Sequence, residues 1–256
     1  MNFKKRVYLC AREKDFQMKL KETWAYYREL RFHNLTTKKY KHLLLLLYWP
    51  IYGLCFFTLE KAWPDIWKSI TGETLVYNEV YCSFDAYIPF CEWFAIPYYF
   101  WFAFLIGMIL FGLLFDIQAF RQFSWFIMVT YTATIVIYLL WPNMQALRPT
   151  EFARDNWLVD CVKGLYEFDT NTNVCPSIHV LGSFATCFAG LHSKKLRGWG
   201  WKTFFIATTV LISLSTVFLR QHSVLDVLFA LILCAIAYPI VFRWICRPRE
   251  DDATIA

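Results

Sequence analysis

The chain has 256 residues, of which 58% are hydrophobic, 20% aromatic and 18% charged, with a formal net charge of +6. Soluble domains carry about 45–50% apolar and about 25% charged residues, so this composition lies well to the apolar side. It excludes intrinsic disorder, and nine Gly and nine Pro without a repeat exclude collagen-like and low-complexity classes.

The chain opens on a basic segment. Residues 1–41 hold twelve Lys/Arg and four Asp/Glu, a net of +8, which leaves −2 for everything after them. Phe16, Leu20, Trp24, Tyr27 and Leu30 follow helical spacing with basic residues between them, the pattern of an interfacial helix on an anionic leaflet. That pattern argues against nucleic acid as a partner. No cleavable signal peptide is expected, because the first apolar run begins only at residue 43.

Apolar runs then follow one another. Residues 43–59, 93–115, 123–141 and 203–219 contain no charge. Residues 176–192 are apolar apart from Ser177, His179 and His192, and 223–242 apart from Asp226. A spanning helix needs roughly 20 mostly apolar residues. The fold expected is therefore all-α: a polytopic membrane protein with six transmembrane helices over 43–242. A basic tail over 1–42 and a short C-terminal tail over 243–256 flank it.

The positive-inside rule sets the orientation. With the N-terminal tail in the cytoplasm, 20 Lys/Arg fall inside and six outside. Both termini are thus expected in the cytoplasm, in a cell (plasma or cytoplasmic) membrane, with the loops 60–92 and 142–175 external. Cys82, Cys91, Cys161 and Cys175 lie in those loops, where disulfides are possible. Pairing within each loop is the simplest of three connectivities. Cys55, Cys187 and Cys234 read as small core residues. No CxxC or Cys/His metal spacing occurs, so neither a metal nor another cofactor is expected.

Three polar patches share the external face: Arg148-Pro149, Pro176-Ser177-Ile178-His179, and Arg220-Gln221-His222-Ser223-Val224-Leu225-Asp226. His222 and Asp226 stand at i and i+4 on one helix face, so the carboxylate can hold one imidazole nitrogen and leave the other free. An Asp inside an uncharged span is costly unless paired and marks a functional site by default. His179 sits at a helix start beside Ser177, where free N–H groups favour an anion. Arg148 and Arg220 face the same side and are suited to bidentate phosphate binding. Together these residues describe a phosphoryl-transfer site. Asp169, Asn171 and Asn173 read as turn formers, His192 as an interfacial residue, and His33 and His42 as part of the basic tail.

The three patches resemble the motifs of the type 2 phosphatidate phosphatase superfamily, which run KxxxxxxRP, PSGH and SRxxxxxHxxxD. The chain supplies Arg148-Pro149, then Pro176-Ser177-Ile178-His179, then Ser215 followed by His222 and Asp226. The resemblance covers roughly residues 85–242 and implies the helical core shared with vanadium haloperoxidases. It implies His222 as nucleophile forming a phosphohistidine, Asp226 as its support and His179 as the acid for the leaving group. It also implies Arg148 and Ser177 as phosphate ligands. Three positions depart from it: Trp141 stands for the motif Lys, Ile178 for Gly and Thr216 for Arg, with Arg220 available to replace one charge. The Arg-Gln-His-x-x-x-Asp pattern and Asp85-Ala86-Tyr87-Ile88-Pro89-Phe90 are similar to the branch that contains inositol phosphorylceramide synthases.

The activity so implied is a metal-independent lipid phosphatase or phosphotransferase acting on a lipid phosphate at the external surface. Two competing readings are a lipid-binding scaffold without catalysis, motivated by the missing cations, and a small proton-linked transporter using Asp226. No inverted repeat supports transport.

Overall fold

The computed structural model describes residues 17–247. Phe16, with the rest of residues 1–16, and the C-terminal residues 248–256 lie outside that range. Helix α1 covers 17–28. A continuous helical stretch, Lys41–Thr71, follows, built from a 3-10 turn, α2 (Tyr48–Phe57), a π-helical turn (Thr58–Ala62) and α3 (Trp63–Thr71). After it come α4 (Ala95–Phe115), α5 (Ile117–Leu140), α6 (Trp157–Phe168), α7 (Ile178–His192) and α8 (Trp199–Phe218). The last, α9 (Val224–Pro239), continues as a π-helical turn, Ile240–Ile245.

Among the described residues, five stretches are long and apolar enough to cross a membrane: Lys41–Thr71, Glu92–Phe115, Ile117–Leu140, Trp199–Phe218 and Val224–Ile245. The chain is therefore an all-helical, multi-pass membrane protein. The expected fourth span is the exception. Helix α7 has only 15 residues, about 22 Å at 1.5 Å per residue, against a hydrocarbon core of about 30 Å. It tolerates this length because it is wrapped by protein. Val180, Leu181, Ala185 and Ala189 are fully buried, and α4, α5, α8 and α9 all pack on it. Small residues permit the close approach: a Cβ on Gly182 would lie 2.6 Å from the Tyr131 hydroxyl, and one on Gly190 would lie 2.5 Å from the Phe205 ring.

Conversely, the first span is longer than the uncharged run 43–59 suggests. Its helix passes through Glu60 because donors from a distant loop satisfy that carboxylate. Asn173 Nδ2 donates to Glu60 Oε1 at 2.7 Å, and Thr172 Oγ1 to Oε2 at 3.2 Å. The π-turn at this point is the kind of irregularity that recurs at functional sites.

Asp116, the residue between α4 and α5, makes one sharp corner. Its Oδ1 caps α5 through Ala119 N at 3.1 Å, and its Oδ2 accepts from Ser193 Oγ at 2.6 Å. Helix α1 packs at this same end. The Tyr27 hydroxyl donates to the Leu113 carbonyl at 3.0 Å and meets His42 Nε2 at 3.2 Å. His42 is thus a buried residue of the first span rather than an exposed member of the tail. Trp24 points away and is 75% exposed.

The opposite end carries the two long loops, which are more structured than the sequence suggests. Asn78–Glu79 pairs in parallel with Asn143–Met144. The amphipathic helix α6, capped by Asn156 Oδ1 on Leu158 N and Val159 N, buries Leu158, Val162 and Leu165 against Ala95, Tyr98 and Leu219. Its capping Asn and apolar spacing were visible signals. Of the possible disulfides none is formed: Cys82, Cys91, Cys161 and Cys175 are free thiols. Cys175 is fully buried, and burial together with the nearby Asp226 carboxylate raises its thiol pKa, which keeps it protonated and unreactive. Cys187 and Cys234 are core residues as expected, whereas Cys55 is exposed on the first span.

The α4–α5 corner gives a direct test of this packing. A Cβ on Gly112 would lie 2.5 Å from Phe120 Cβ and 2.8 Å from its Cα, whereas nothing lies within 4 Å of one on Gly107. Gly112→Ala is expected to cost about 1–3 kcal/mol by overpacking. Gly107→Ala gains up to about 1 kcal/mol of helix propensity. Thermal unfolding of the detergent-solubilised protein should show a lowered apparent Tm for the first and an unchanged or raised one for the second.

Candidate active site

The site is built around the first turn of α9. Ser223 caps that helix in a capping box: its Oγ accepts from Leu225 N at 3.1 Å, and Asp226 Oδ2 accepts from Ser223 N at 3.0 Å. The same Oδ2 accepts from His222 Nδ1 at 3.0 Å. Asp226 is completely buried and His222 is 5% exposed. A buried carboxylate at a helix N-terminus is stabilised by the helix dipole and by the two donors. The hydrogen bond places the imidazole proton on Nδ1, which leaves the Nε2 lone pair free.

A second carboxylate braces this turn from outside. Asp85 sits in the 3-10 turn Ser83–Tyr87 and is 1% exposed. Its Oδ2 accepts from Ser223 Oγ at 2.6 Å and Cys82 N at 2.8 Å, and its Oδ1 accepts from Val224 N at 2.8 Å. Arg220, in the left-handed region at φ 54°, reaches the same turn. Its Nη1 donates to the Asp85 carbonyl at 2.9 Å and its Nη2 to the Ile88 carbonyl. A left-handed Arg costs roughly 1–2 kcal/mol, and these clamps hold it there. The Asp85-to-Phe90 segment noted in the sequence is thereby the seat of the His222 turn.

The head of α7 lies alongside. Ser177 N donates to the Asp226 carbonyl at 3.2 Å, joining the two helix starts. The Tyr138 hydroxyl donates to the Pro176 carbonyl at 2.8 Å and the Tyr131 hydroxyl to the Ile178 carbonyl at 3.0 Å. The His179 ring rests between Tyr98 and Trp101, each with its ring centroid 4.5 Å away, and lies 5.8 Å from the His222 ring. Among the described residues, Ser177 Oγ, His179 Nδ1, Gln221 Oε1 and Asp226 Oδ1 are buried without a hydrogen-bond partner. Such atoms are rare and gather here around a cleft.

That cleft is lined by Phe56, Tyr138, Ile178, His179, Gln221, His222 and the loop residues Asp169, Thr170, Thr172, Asn173 and Val174. The sequence treated Asp169 and Asn173 as turn formers only; both line the cleft, and no sequence signal marks Asp169 out. Its Oδ2 accepts from the Tyr98 hydroxyl at 3.1 Å and from Gln221 Nε2 at 3.4 Å. Burial raises the Asp169 pKa, while His222 and Arg148 pull it down.

The structure thus brings His222, Asp226, His179 and Ser177 together. Arg148 and Arg220, expected as phosphate ligands, do not line the cleft. The Arg148 guanidinium is held by main-chain carbonyls, Nη1 on Tyr166 at 2.9 Å and Nη2 on Asp169 at 2.6 Å and Thr170 at 2.8 Å, and stacks on the Tyr166 ring. It anchors the 166–170 loop, as Arg220 anchors the turn that carries His222. Among the described residues no group of His, Cys, Asp and Glu has the arrangement of a metal site.

A buried His–Asp pair facing a second histidine across a cleft, at one end of a helical membrane bundle, defines a membrane protein with the parts of an acid–base and nucleophilic centre. Compared with known families, residues 122–249 match the PAP2 superfamily. The match covers half of the chain, and the chain belongs to that superfamily. Its members are phosphatases and phosphotransferases, which supports an enzyme of phosphatase type here. No curated protein and no solved structure matches the chain.

The Asp85 brace is testable apart from activity. Asp85→Ala removes the acceptor of three donors, the buried Ser223 hydroxyl and the half-buried Cys82 and Val224 amides, and a buried donor left unpaired costs about 1–3 kcal/mol. Asp85→Asn keeps one acceptor oxygen. The Ala variant should show the larger drop in apparent Tm, with faster amide exchange confined first to residues 220–228.

Proposed function

We propose that the chain is an integral-membrane lipid phosphatase or phosphotransferase working through a phosphohistidine on His222. The observation that carries this reading is the His222–Asp226 hydrogen bond at 3.0 Å, in a cleft shared with His179. In the proposed reaction His222 Nε2 attacks phosphorus in line and an N–P bond forms. The P–O bond to the leaving group breaks, and the departing oxygen takes its electron pair and a proton from His179. A water or alcohol then attacks phosphorus and gives its proton to His179. The N–P bond breaks and free His222 is regenerated. Asp226 stabilises the imidazolium that develops. Ser177 Oγ and the free N–H groups at the head of α7 receive phosphate oxygens.

Arg148 and Arg220 contribute from behind the wall, by their field and by fixing the two loops. The motif departures and the Asp85 segment favour the branch that contains inositol phosphorylceramide synthases, in which an alcohol is the acceptor. The basic residues gathered at the far end of the bundle support an extracytoplasmic position for the cleft. The absence of Lys and Arg from the cleft lining is the one observation that favours a non-catalytic lipid binder instead.

Purified protein incubated with phosphorus-labelled lipids decides between these readings. His222→Ala is expected to lose about a thousandfold or more in turnover. His179→Ala should slow by about 10²–10⁴-fold and accumulate acid-labile label on His222. Turnover that survives intact in His222→Ala would overturn the mechanism. Added ceramide or diacylglycerol separates transfer from hydrolysis.

A further inference from the structure

Helix α1 crosses the last turn of α4, at the end of the bundle opposite the cleft. The Thr23 hydroxyl donates to the Leu114 carbonyl at 2.6 Å and the Tyr27 hydroxyl to the Leu113 carbonyl at 3.0 Å. Lys195, in the link between α7 and α8, donates to the adjoining Phe115 carbonyl. These are carbonyls that a helix end leaves without intrahelical donors. On its other side α1 rests on the start of the first span. Tyr40 is buried there, its hydroxyl donating to the Tyr26 carbonyl at 2.7 Å, and the Tyr26 and Tyr40 rings meet edge to face at 5.4 Å.

Both supports are span ends, since α4 stops at Phe115 and the first span begins at Lys41. The ends of apolar spans lie where hydrocarbon gives way to headgroups, so α1 is held at headgroup depth. The exposed apolar side of the first span, Leu44, Leu47, Ile51 and Leu54, begins within one turn of Lys41. Bilayer therefore reaches the level of α1.

The helix also separates its charges. At 3.6 residues per turn Lys21, Trp24 and Arg28 stand along one edge, and all three are exposed. Glu22 and Glu29 lie about a third of a turn further round, and Glu29 is already paired with Lys39 Nζ at 2.7 Å. The protein takes Thr23 and Tyr27 and leaves the Trp24 indole, 75% exposed, between two cations. Indoles favour the headgroup layer, and basic residues beside them favour lipid of net negative charge. We infer that the Lys21, Trp24 and Arg28 edge of α1 docks on an anionic lipid leaflet, with the indole among the headgroups and the two cations on lipid phosphates. This surface is separate from the cleft and does not depend on its chemistry.

Fluorescence quenching tests it with the full chain in phosphatidylcholine vesicles that hold a minor share of phosphatidylglycerol. Acyl-chain bromine, which quenches a nearby indole, is carried by the phosphatidylglycerol in one preparation and by an equal share of the phosphatidylcholine in the other. Subtracting the signal of Trp24→Phe isolates Trp24 from the remaining tryptophans. Quenching of Trp24 is expected to be at least about threefold greater with bromine on phosphatidylglycerol, since one cation at an anionic surface favours it about fivefold. Lys21→Gln with Arg28→Gln, checked for folding by thermal unfolding, should bring that ratio down toward one. In the wild type, salt at about 1 M, where the Debye length is about 3 Å, should do the same. Equal quenching by the two lipids, or a preference that survives both the double substitution and the salt, overturns the inference. Trp24 emission that neither lipid quenches also overturns it and leaves α1 a water-facing cap.

Discussion

Everything at the cleft end of this protein depends on satisfying one carboxyl group where no water reaches it. Asp226 is wholly buried in a bundle of apolar helices, an environment that penalises an unpaired charge heavily. It is held by the His222 imidazole, by the Ser223 amide and by the positive end of α9. The same contacts fix the histidine tautomer. Satisfying the buried carboxyl group and orienting the imidazole are thus one arrangement. Asp85 repeats the solution a few ångströms away, using Ser223 Oγ and Val224 N. Two acids at one helix start make that turn rigid.

Much of this was legible in the sequence because burying a charge is costly enough to leave a mark. An Asp in an uncharged span and a His four residues before it stand out against apolar neighbours, and they meet as their spacing requires. Ser177 and His179 were visible for the same reason. The helices were legible too, since uncharged runs near 20 residues have few alternatives. What the run lengths concealed was α7. Its 15 residues and small side chains suit a helix surrounded by protein, and a window tuned to lipid contact does not distinguish the two environments.

The loops were least legible, for a physical reason. Asp169 and Glu60 are ordinary residues of a turn and of a helix end, and they gain their role only through partners about 50 to 113 positions away. The surroundings of the arginines were hidden for a related reason. Their chemistry suits phosphate, but backbone carbonyls of a tightly wound loop compete for the same planar donors. Arg148 and Arg220 answer that local demand. Cysteine spacing likewise says nothing of depth, and Cys175 is buried in the turn before α7.

Gly182 illustrates how narrow the tolerances around α7 are. It lies less than one turn below His179, and the atoms that crowd it are the Tyr131 hydroxyl and Trp101 Nε1. Those two side chains also touch the head of the helix, Tyr131 through the Ile178 carbonyl and Trp101 through the His179 ring. A methyl group added there pushes on both supports at once. The position of His179 is therefore calibrated by an empty space on the far side of its neighbours, and the fit of the bundle and the alignment of the cleft are a single mechanical setting.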